Sequence, residues 1–523
     1  GGYFDSGSTW TTNSLTETRN DDYNVTSQAI ANYMGTFGSH NLTVMAGFEN
    51  YYMKSESLGA ARDKYELTGY PYLNIGSEDF QTNSGTGSEY TSNSVFGRVI
   101  YSYADRYLFQ ANVRHDGSSR FAKGYRWGTF PSFSAGWVAS EEKFMKNLKW
   151  DWLSFLKLRG SWGMLGNERI GSNYFPYIAL MSFGNSLFYM ADGSVVSDKT
   201  ARPAVLAVED ITWETTTSTD LGLDVNFLNN RLQFHFDYYW KETKDMLLNI
   251  EIPYFMGYNN PSTNAGKMST HGYDIEVAWN DQIGDFKYGV NVNFSDFLSK
   301  IDYMNDGEQI SGGKIKRAGV LFNEFYGYVC EGIYQTQEEV NNSARTSTTV
   351  TVGDLKYRDI SGPDGVPDGV ISPEYDRVPL GNSLPRFQYG GSLNASYKGI
   401  DFSLAFQGIG KQNSYLSTSM VQPLRDNYGN VPAILEGKYW SPFNTTEENL
   451  AAKYPRLSNV SKSNNYATSN FWMFNGSYFR LKNITLGYTL PKSWTQKAGI
   501  NRARFYVSGS DLFCLSNFPS GWD

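Results

Sequence analysis

An acidic segment in the second half of the chain is the first candidate for chemistry. Residues 359–376 carry Asp359, Asp364 and Asp368 among glycines and prolines. Ca²⁺ takes several carboxylate and carbonyl oxygens, and glycine permits the sharp turn that gathers them. The spacing only loosely approaches an EF-hand loop, since Val366 stands where a liganding residue belongs. Weak Ca²⁺ binding by the three aspartates and a solvated acidic turn are both consistent with this pattern.

Catalysis is the second class of chemistry that residue types and spacing could indicate. The sequence contains no HExxH and no GxSxG, the spacings that serve zinc proteases and serine hydrolases. A Gly-Ile-Gly-Lys run is followed by Gln412 rather than Ser or Thr, so it is not a phosphate-binding loop. The cysteines, Cys330 and Cys514, have no metal or redox spacing. The sequence therefore predicts a protein that is not an enzyme.

Aromatic residues in the long connections are candidates for binding. The chain has 38 Tyr and 33 Phe, and such side chains could stack on sugars, contact a partner protein or pack the connections on one another. For any single residue, packing is the more frequent role. The candidates for substrate or partner contacts are Tyr174, Phe175, Tyr177, Phe188, Tyr189, Tyr254, Tyr258 and Tyr428.

The elements that would position these residues are amphipathic strands. Leu232, Phe234 and Phe236 alternate with polar residues, which gives a strand one apolar and one polar face. The same pattern predicts fourteen strands, at 24–34, 41–53, 92–104, 106–116, 128–140, 155–166, 211–228, 231–244, 266–281, 285–298, 386–398, 400–411, 477–491 and 501–514.

Short turns and long connections alternate between these strands. The long ones are 54–91, 167–210, 245–265, 299–385 and 412–476. Short turns on one rim and long loops on the other are typical of outer-membrane β-barrels. We therefore expect an all-β fold, with residues 1–523 forming part of a transmembrane antiparallel β-barrel and the long connections outside the cell. An even strand number predicts at least one closing strand beyond Asp523.

Several motifs then resemble one family. They are NVRHDGSSRFAKGYRWGTFPSFSAGWVASEEKF at 112–144, LKLRGSWGMLGN at 156–167, FYGYVCEGIYQTQEEV at 325–340, GDLKYRDISGPDGVPDGVISPEYDRVPLGNSLPRF at 353–387, GSYFRLKNITLGYTLP at 476–491 and RFYVSGSDLFCLSNFPSGWD at 504–523. In this order they resemble the SusC/RagA family of TonB-dependent outer-membrane transporters of Bacteroidetes, along about the whole chain.

The resemblance implies a barrel of about 22 strands with a plugged lumen. It also implies a SusD-like surface lipoprotein as a lid. Oligosaccharide or peptide import would be driven by TonB–ExbB–ExbD acting on a plug, and neither a plug nor a TonB box is found in this sequence. The acidic segment departs from the DxNGDG run that relatives often have.

Two alternatives to this transporter remain open at the level of sequence. A passive outer-membrane porin would conduct ions without an energy source. A secreted all-β carbohydrate-binding protein would be soluble without detergent. A net charge of −8 without a basic cluster gives no support to nucleic-acid binding.

Overall fold

One large antiparallel sheet dominates the computed structural model. The structure describes residues 13–67, 69–148, 150–170, 174–179, 181–250, 252–305, 307–416, 418–424, 430–458 and 462–520. Fourteen strands pair in the order β1-β2-β3-β4-β5-β6-β9-β10-β11-β12-β19-β20-β23-β24. They are β1 (Ser14–Phe37), β2 (His40–Asp63), β3 (Gln81–Tyr103), β4 (Tyr107–Ser118), β5 (Trp127–Val138), β6 (Leu153–Asn167), β9 (Glu214–Phe227), β10 (Leu232–Asn249), β11 (Ser262–Ile283), β12 (Phe286–Met304), β19 (Arg386–Tyr397), β20 (Ile400–Lys411), β23 (Tyr478–Thr489) and β24 (Arg504–Ser516).

Shorter elements lie in the connections. The strands are β7 (Met181–Tyr189), β8 (Val195–Pro203), β13 (Glu308–Ser311), β14 (Lys314–Arg317), β15 (Glu324–Tyr328), β16 (Cys330–Ile333), β17 (Leu355–Tyr357), β18 (Arg377–Asn382), β21 (Asn413–Tyr415) and β22 (Met473–Asn475). The α-helices are α1 (Lys143–Asn147), α2 (Gln337–Asn342), α3 (Thr418–Val421), α4 (Thr446–Leu450), α5 (Lys462–Asn465) and α6 (Lys492–Thr495). Across the described parts of the chain, every helix is too short or too polar to traverse a bilayer.

All fourteen predicted strands are present in the large sheet, in chain order. Apolar and polar side chains alternate along each strand because the two faces of the sheet meet different surroundings. Phe234 on β10 pairs with Val225 on one side and Val277 on the other, and Val277 pairs with Val292. This apolar row faces lipid in an outer-membrane barrel, while the intervening polar residues face the lumen.

Two rims of different character follow from this order. Short turns connect β1 to β2, β3 to β4, β9 to β10, β11 to β12 and β19 to β20. In the β9–β10 turn, Leu228, Asn229 and Asn230 all have positive φ. This backbone conformation reverses the chain tightly, and asparagine adopts it more readily than most residues do. The opposite rim carries the long connections.

The strands reach further into the long connections than the sequence pattern predicts. The predicted connection 54–91 shortens to 64–80, because β2 and β3 stay paired up to Arg62 opposite Gln81. The predicted connection 245–265 shortens to 250–261, and β12 continues to Met304 inside the predicted connection 299–385. The added ends are rich in polar and small residues, so apolar alternation does not reveal them. The strand ends remain paired through their backbones, although neither of their faces carries an apolar row.

Two of the long connections fold together. Four strands of residues 305–385 form a sheet in the order β13-β14-β15-β18, and β21 and β22 pair at the base of residues 412–477. The hydrophobic clusters are made mostly within this pair of connections: one contains Leu355 and Tyr357, and another contains Tyr466 and Trp472. We call residues 305–385 and 412–477 the outer unit.

Candidate functional site

A charged cluster on the polar face of β6, β9 and β10 is centred on Arg159. Its Nη1 lies 2.6 Å from Asp237 Oδ1 and 3.6 Å from Asp220 Oδ1, and its Nε lies 3.2 Å from Asp224 Oδ2. His235 Nδ1 lies 3.0 Å from Asp224 Oδ1. Three carboxylates thus surround one guanidinium, whose planar fork of donors suits several acceptors at once.

The cluster depends on a missing side chain. Gly222 pairs with Arg159 on one side and with Asp237 on the other. A Cβ at position 222 would lie 2.5 Å from Arg159 Cζ. The guanidinium therefore crosses the middle strand through space that only glycine leaves open.

Recesses in the wall lie beside this cluster. One cavity of about 390 Å³ is lined by Arg159, Asp220, Ser161 and Tyr101, among others. A second of about 760 Å³ includes Ser161 and the polar residues of β4 and β5. Hydroxyl, amide and charged groups are thus among the groups that line these recesses, where they could hydrogen-bond a polar solute.

The outer unit is fastened by a buried polar network. Asp354 is fully buried and accepts hydrogen bonds from Arg456 Nε at 2.7 Å and Asn465 Nδ2 at 2.9 Å. Tyr357 donates its hydroxyl to the Asn464 carbonyl at 2.6 Å. Burial, the largest cause, raises the pKa of Tyr357 well above its usual range, so the hydroxyl stays a donor. These bonds join segments more than one hundred residues apart.

The acidic segment lies in the outer unit, but its predicted calcium ligands are not gathered. Asp359 Oδ2 accepts from the Gly369 N–H at 2.7 Å, and Asp368 Oδ1 accepts from Val370 N–H at 2.9 Å. Within the described ranges, no group of three or more His, Cys, Asp or Glu residues could hold a metal ion. Weak Ca²⁺ binding by Asp359, Asp364 and Asp368 therefore stays a prediction, and in this structure two of these carboxylates each accept one backbone N–H.

A different aspartate organises this segment. Asp376 is fully buried, and its carboxylate accepts from the N–H groups of Ile360 at 2.7 Å, Ser361 at 3.3 Å and Ser372 at 2.7 Å. A carboxylate that satisfies three amides closes a loop without a metal. The many acidic residues of the segment concealed this role of Asp376. The local sequence signal is its position four residues after Ser372, whose N–H it accepts.

The aromatic candidates separate into packed and exposed residues. Tyr174 lies under the Arg120 guanidinium, 4.4 Å from Cζ to the ring centre, and beside Tyr90. Phe188 and Tyr189 stand on the β7–β8 hairpin, where Tyr189 is 83% exposed.

The other aromatic candidates are either intermediate in exposure or outside the described residues. Phe175, Tyr177 and Tyr258 are partly buried. The side chain of Tyr254 and all of Tyr428 lie outside the described residues. The structure thus favours packing for Tyr174 and leaves Phe188 and Tyr189 free to meet a partner.

Comparisons with known proteins agree with this geometry. The family model described as "TonB dependent receptor-like, beta-barrel" matches residues 1–508. The TonB-dependent receptor P3 of Formosa agariphila is 31% identical over 518 residues, which are 95% of this chain and 48% of the relative. The TonB-dependent receptor SusC of Bacteroides thetaiotaomicron is 28% identical over 507 residues, 95% of this chain and 47% of the relative.

A solved structure has the same fold. The RagAB peptide transporter superposes with a TM-score of 0.79 at 23% sequence identity, covering 97% of this chain and 53% of that one. The chain spans about half the length of the curated relatives that it matches. By the extent of the family match, this chain belongs to the TonB-dependent receptor-like β-barrels, and it is a SusC/RagA-like protein of the bacterial outer membrane.

Proposed function

We propose that this chain forms the barrel wall of a SusC-like importer that takes up oligosaccharides or peptides across the outer membrane. The observation that carries the proposal is the polar inner wall centred on Arg159, enclosed by strands whose opposite faces are apolar. A hydrated wall offers a path for a polar solute that lipid does not. SusC and RagAB, which are similar to this chain, give the transporter class its support.

The outer unit is our candidate for the docking platform of a SusD-like lipoprotein lid. Its buried network makes it a stiff body rather than a set of loose loops, and a preformed surface loses less freedom when a partner binds. Connection 167–210 would add the exposed aromatics Phe188 and Tyr189 to the vestibule beneath the lid. We place connections 54–91, 167–210, 245–265, 299–385 and 412–476 outside the cell.

Energy would come from TonB–ExbB–ExbD acting on a plug inside the barrel. This separates the proposal from a passive porin, which needs no energy source. It also assigns the polar wall a second role, as the surface against which a plug rests.

The test is to tag the full-length protein in its native host, extract it in mild detergent and identify what accompanies it. We expect one surface lipoprotein and a bound peptide or oligosaccharide, which mass spectrometry would distinguish. The purified protein should show no stable open-channel conductance in planar bilayers. Stepwise conductance without an energy source, with no lipoprotein present, would contradict the importer and support a porin.

A further inference from the structure

The connection between β5 and β6, residues 139–152, differs from the tight turns on its rim. It contains α1 and four large apolar side chains that stay exposed: Phe144 at 55%, Leu148 at 48%, Trp150 at 44% and Trp152 at 48%. Connections of two to four residues serve the β1–β2 and β9–β10 pairs on the same rim. An apolar group of this kind on an exposed connection marks a contact surface.

Ring contacts place this connection on the lipid side of the wall. Phe144 packs 6.5 Å from Trp137, and Trp150 stacks on Trp152 at 5.3 Å, which in turn stacks on Phe227 at 5.8 Å. Trp137 of β5 pairs with Tyr107 and Leu158, and Phe227 of β9 pairs with Leu232. Both strand residues belong to the apolar face, so the connection continues the lipid-facing surface beyond the strand ends.

A buried carboxylate fixes the connection against the strands. Glu142 accepts from Arg106 Nη1 at 2.9 Å and from Trp137 Nε1 at 3.2 Å, and it also accepts from the Tyr107 hydroxyl. The start of α1 is therefore held in place by groups from the β3–β4 turn, β4 and β5.

The helix presents two different sides. Leu148, the C-cap residue of α1, lies four residues after Phe144 and so on the same side of the helix, whereas Lys143 and Lys146 lie off that side. Lysine beside tryptophan is the combination that anchors helices at the boundary between headgroups and acyl chains.

We propose that residues 139–152 form an interfacial anchor that seats Phe144, Leu148, Trp150 and Trp152 in the phospholipid leaflet facing the periplasm. The rim of short turns is the periplasmic one in barrels of this class. The occupant is the headgroup–acyl boundary of that leaflet, reached by continuity with the lipid-facing wall. The anchor rests on the family assignment and is independent of what the barrel transports.

Spin labelling of the full-length protein tests the anchor directly. In a background of Cys330→Ser and Cys514→Ser, a nitroxide is attached at Leu148→Cys, and the protein is reconstituted in vesicles of phosphatidylethanolamine and phosphatidylglycerol. Asn230→Cys, in the β9–β10 turn of the same rim, is the matched control. Lys146→Cys is a second control within α1.

The expected result is a contrast in collision rates. The label at position 148 should meet oxygen more often than a water-soluble nickel chelate, and the labels at 230 and 146 should show the reverse. Equal nickel access at 148 and 230 would place the connection in water and overturn the proposal. Low access to both reagents at 148 would show a protein covering the surface, and this outcome also overturns it. Heat-shifted electrophoretic mobility confirms that each variant has folded.

Discussion

Arg456→Met is the substitution that most sharply tests the outer unit. Asp354 is fully buried, and the Arg456 guanidinium pairs with it, with Nε 2.7 Å from Oδ1. Methionine keeps much of the aliphatic stem but removes both guanidinium donors to the buried carboxylate. Breaking a buried pair on one side costs about 3–5 kcal/mol. Because a quarter of the Arg456 side chain is exposed, we take the lower end, about 3 kcal/mol.

Hydrogen exchange measured by mass spectrometry reports this loss of stability for each peptide, because the exchange rate of its amides depends on the free energy of local opening. At roughly 1.4 kcal/mol for each factor of ten, peptides covering 351–357 and 462–472 should exchange on the order of a hundredfold faster. A peptide from β10 should keep its exchange rate, because its amides are hydrogen-bonded within the large sheet and not to the outer unit.

Arg358→Met is the matched control. Arg358 pairs with Glu331 at 2.9 Å but is 58% exposed, and exposed pairs contribute only about 0–1 kcal/mol. The control should therefore change exchange by about fivefold at most. If Arg456→Met has no larger effect than Arg358→Met, the buried network does not hold the outer unit together and the reasoning fails.

Three further predictions concern single sites. Gly222→Ala should destabilise the barrel by about 1–3 kcal/mol through overpacking against the facing guanidinium, seen as a lower unfolding temperature, whereas Gly85→Ala, with ordinary contacts, should cost less. Burial raises the pKa of Cys330 to about 11, so iodoacetamide at pH 8 should alkylate it about a hundredfold more slowly than an ordinary thiol; alkylation at the ordinary rate would contradict this. Burial acts to raise the pKa of Glu339, but a backbone N–H and the Lys356 ammonium outweigh it and lower the pKa below 4.5. A lowered pKa stabilises α2 above that pH, so exchange in α2 should accelerate as the pH falls below 4.5, and Glu339→Gln should flatten that dependence.

The sheet could be predicted from sequence because lipid and lumen impose strict alternation. Leu232 to Asp237 show this directly, and each of the fourteen predicted strands is found. The strand ends at 54–63 and 81–91 could not be predicted in this way, since outside the bilayer both faces are wet and only backbone pairing remains.

The site was less accessible to sequence reasoning. The alternation along β10 places Asp237 on the polar face, but its contact with Arg159 depends on Gly222 and on a register across three strands. The Asp354 network joins residues more than one hundred positions apart, and no periodic pattern in the sequence predicts these contacts. In the acidic segment, the composition predicted calcium binding and did not reveal that the buried Asp376 accepts backbone N–H groups.

Orientation in the membrane is the central claim, and labelling of intact cells tests it most directly. Single cysteines are placed at Glu447, on α4 of the outer unit, and at Asn230, in the β9–β10 turn, with Cys330 and Cys514 replaced by serine. Both positions are exposed. A membrane-impermeant maleimide should label position 447 in intact cells and position 230 only after the outer membrane is permeabilised. Labelling of position 230 but not 447 in intact cells would place the outer unit in the periplasm and contradict the account.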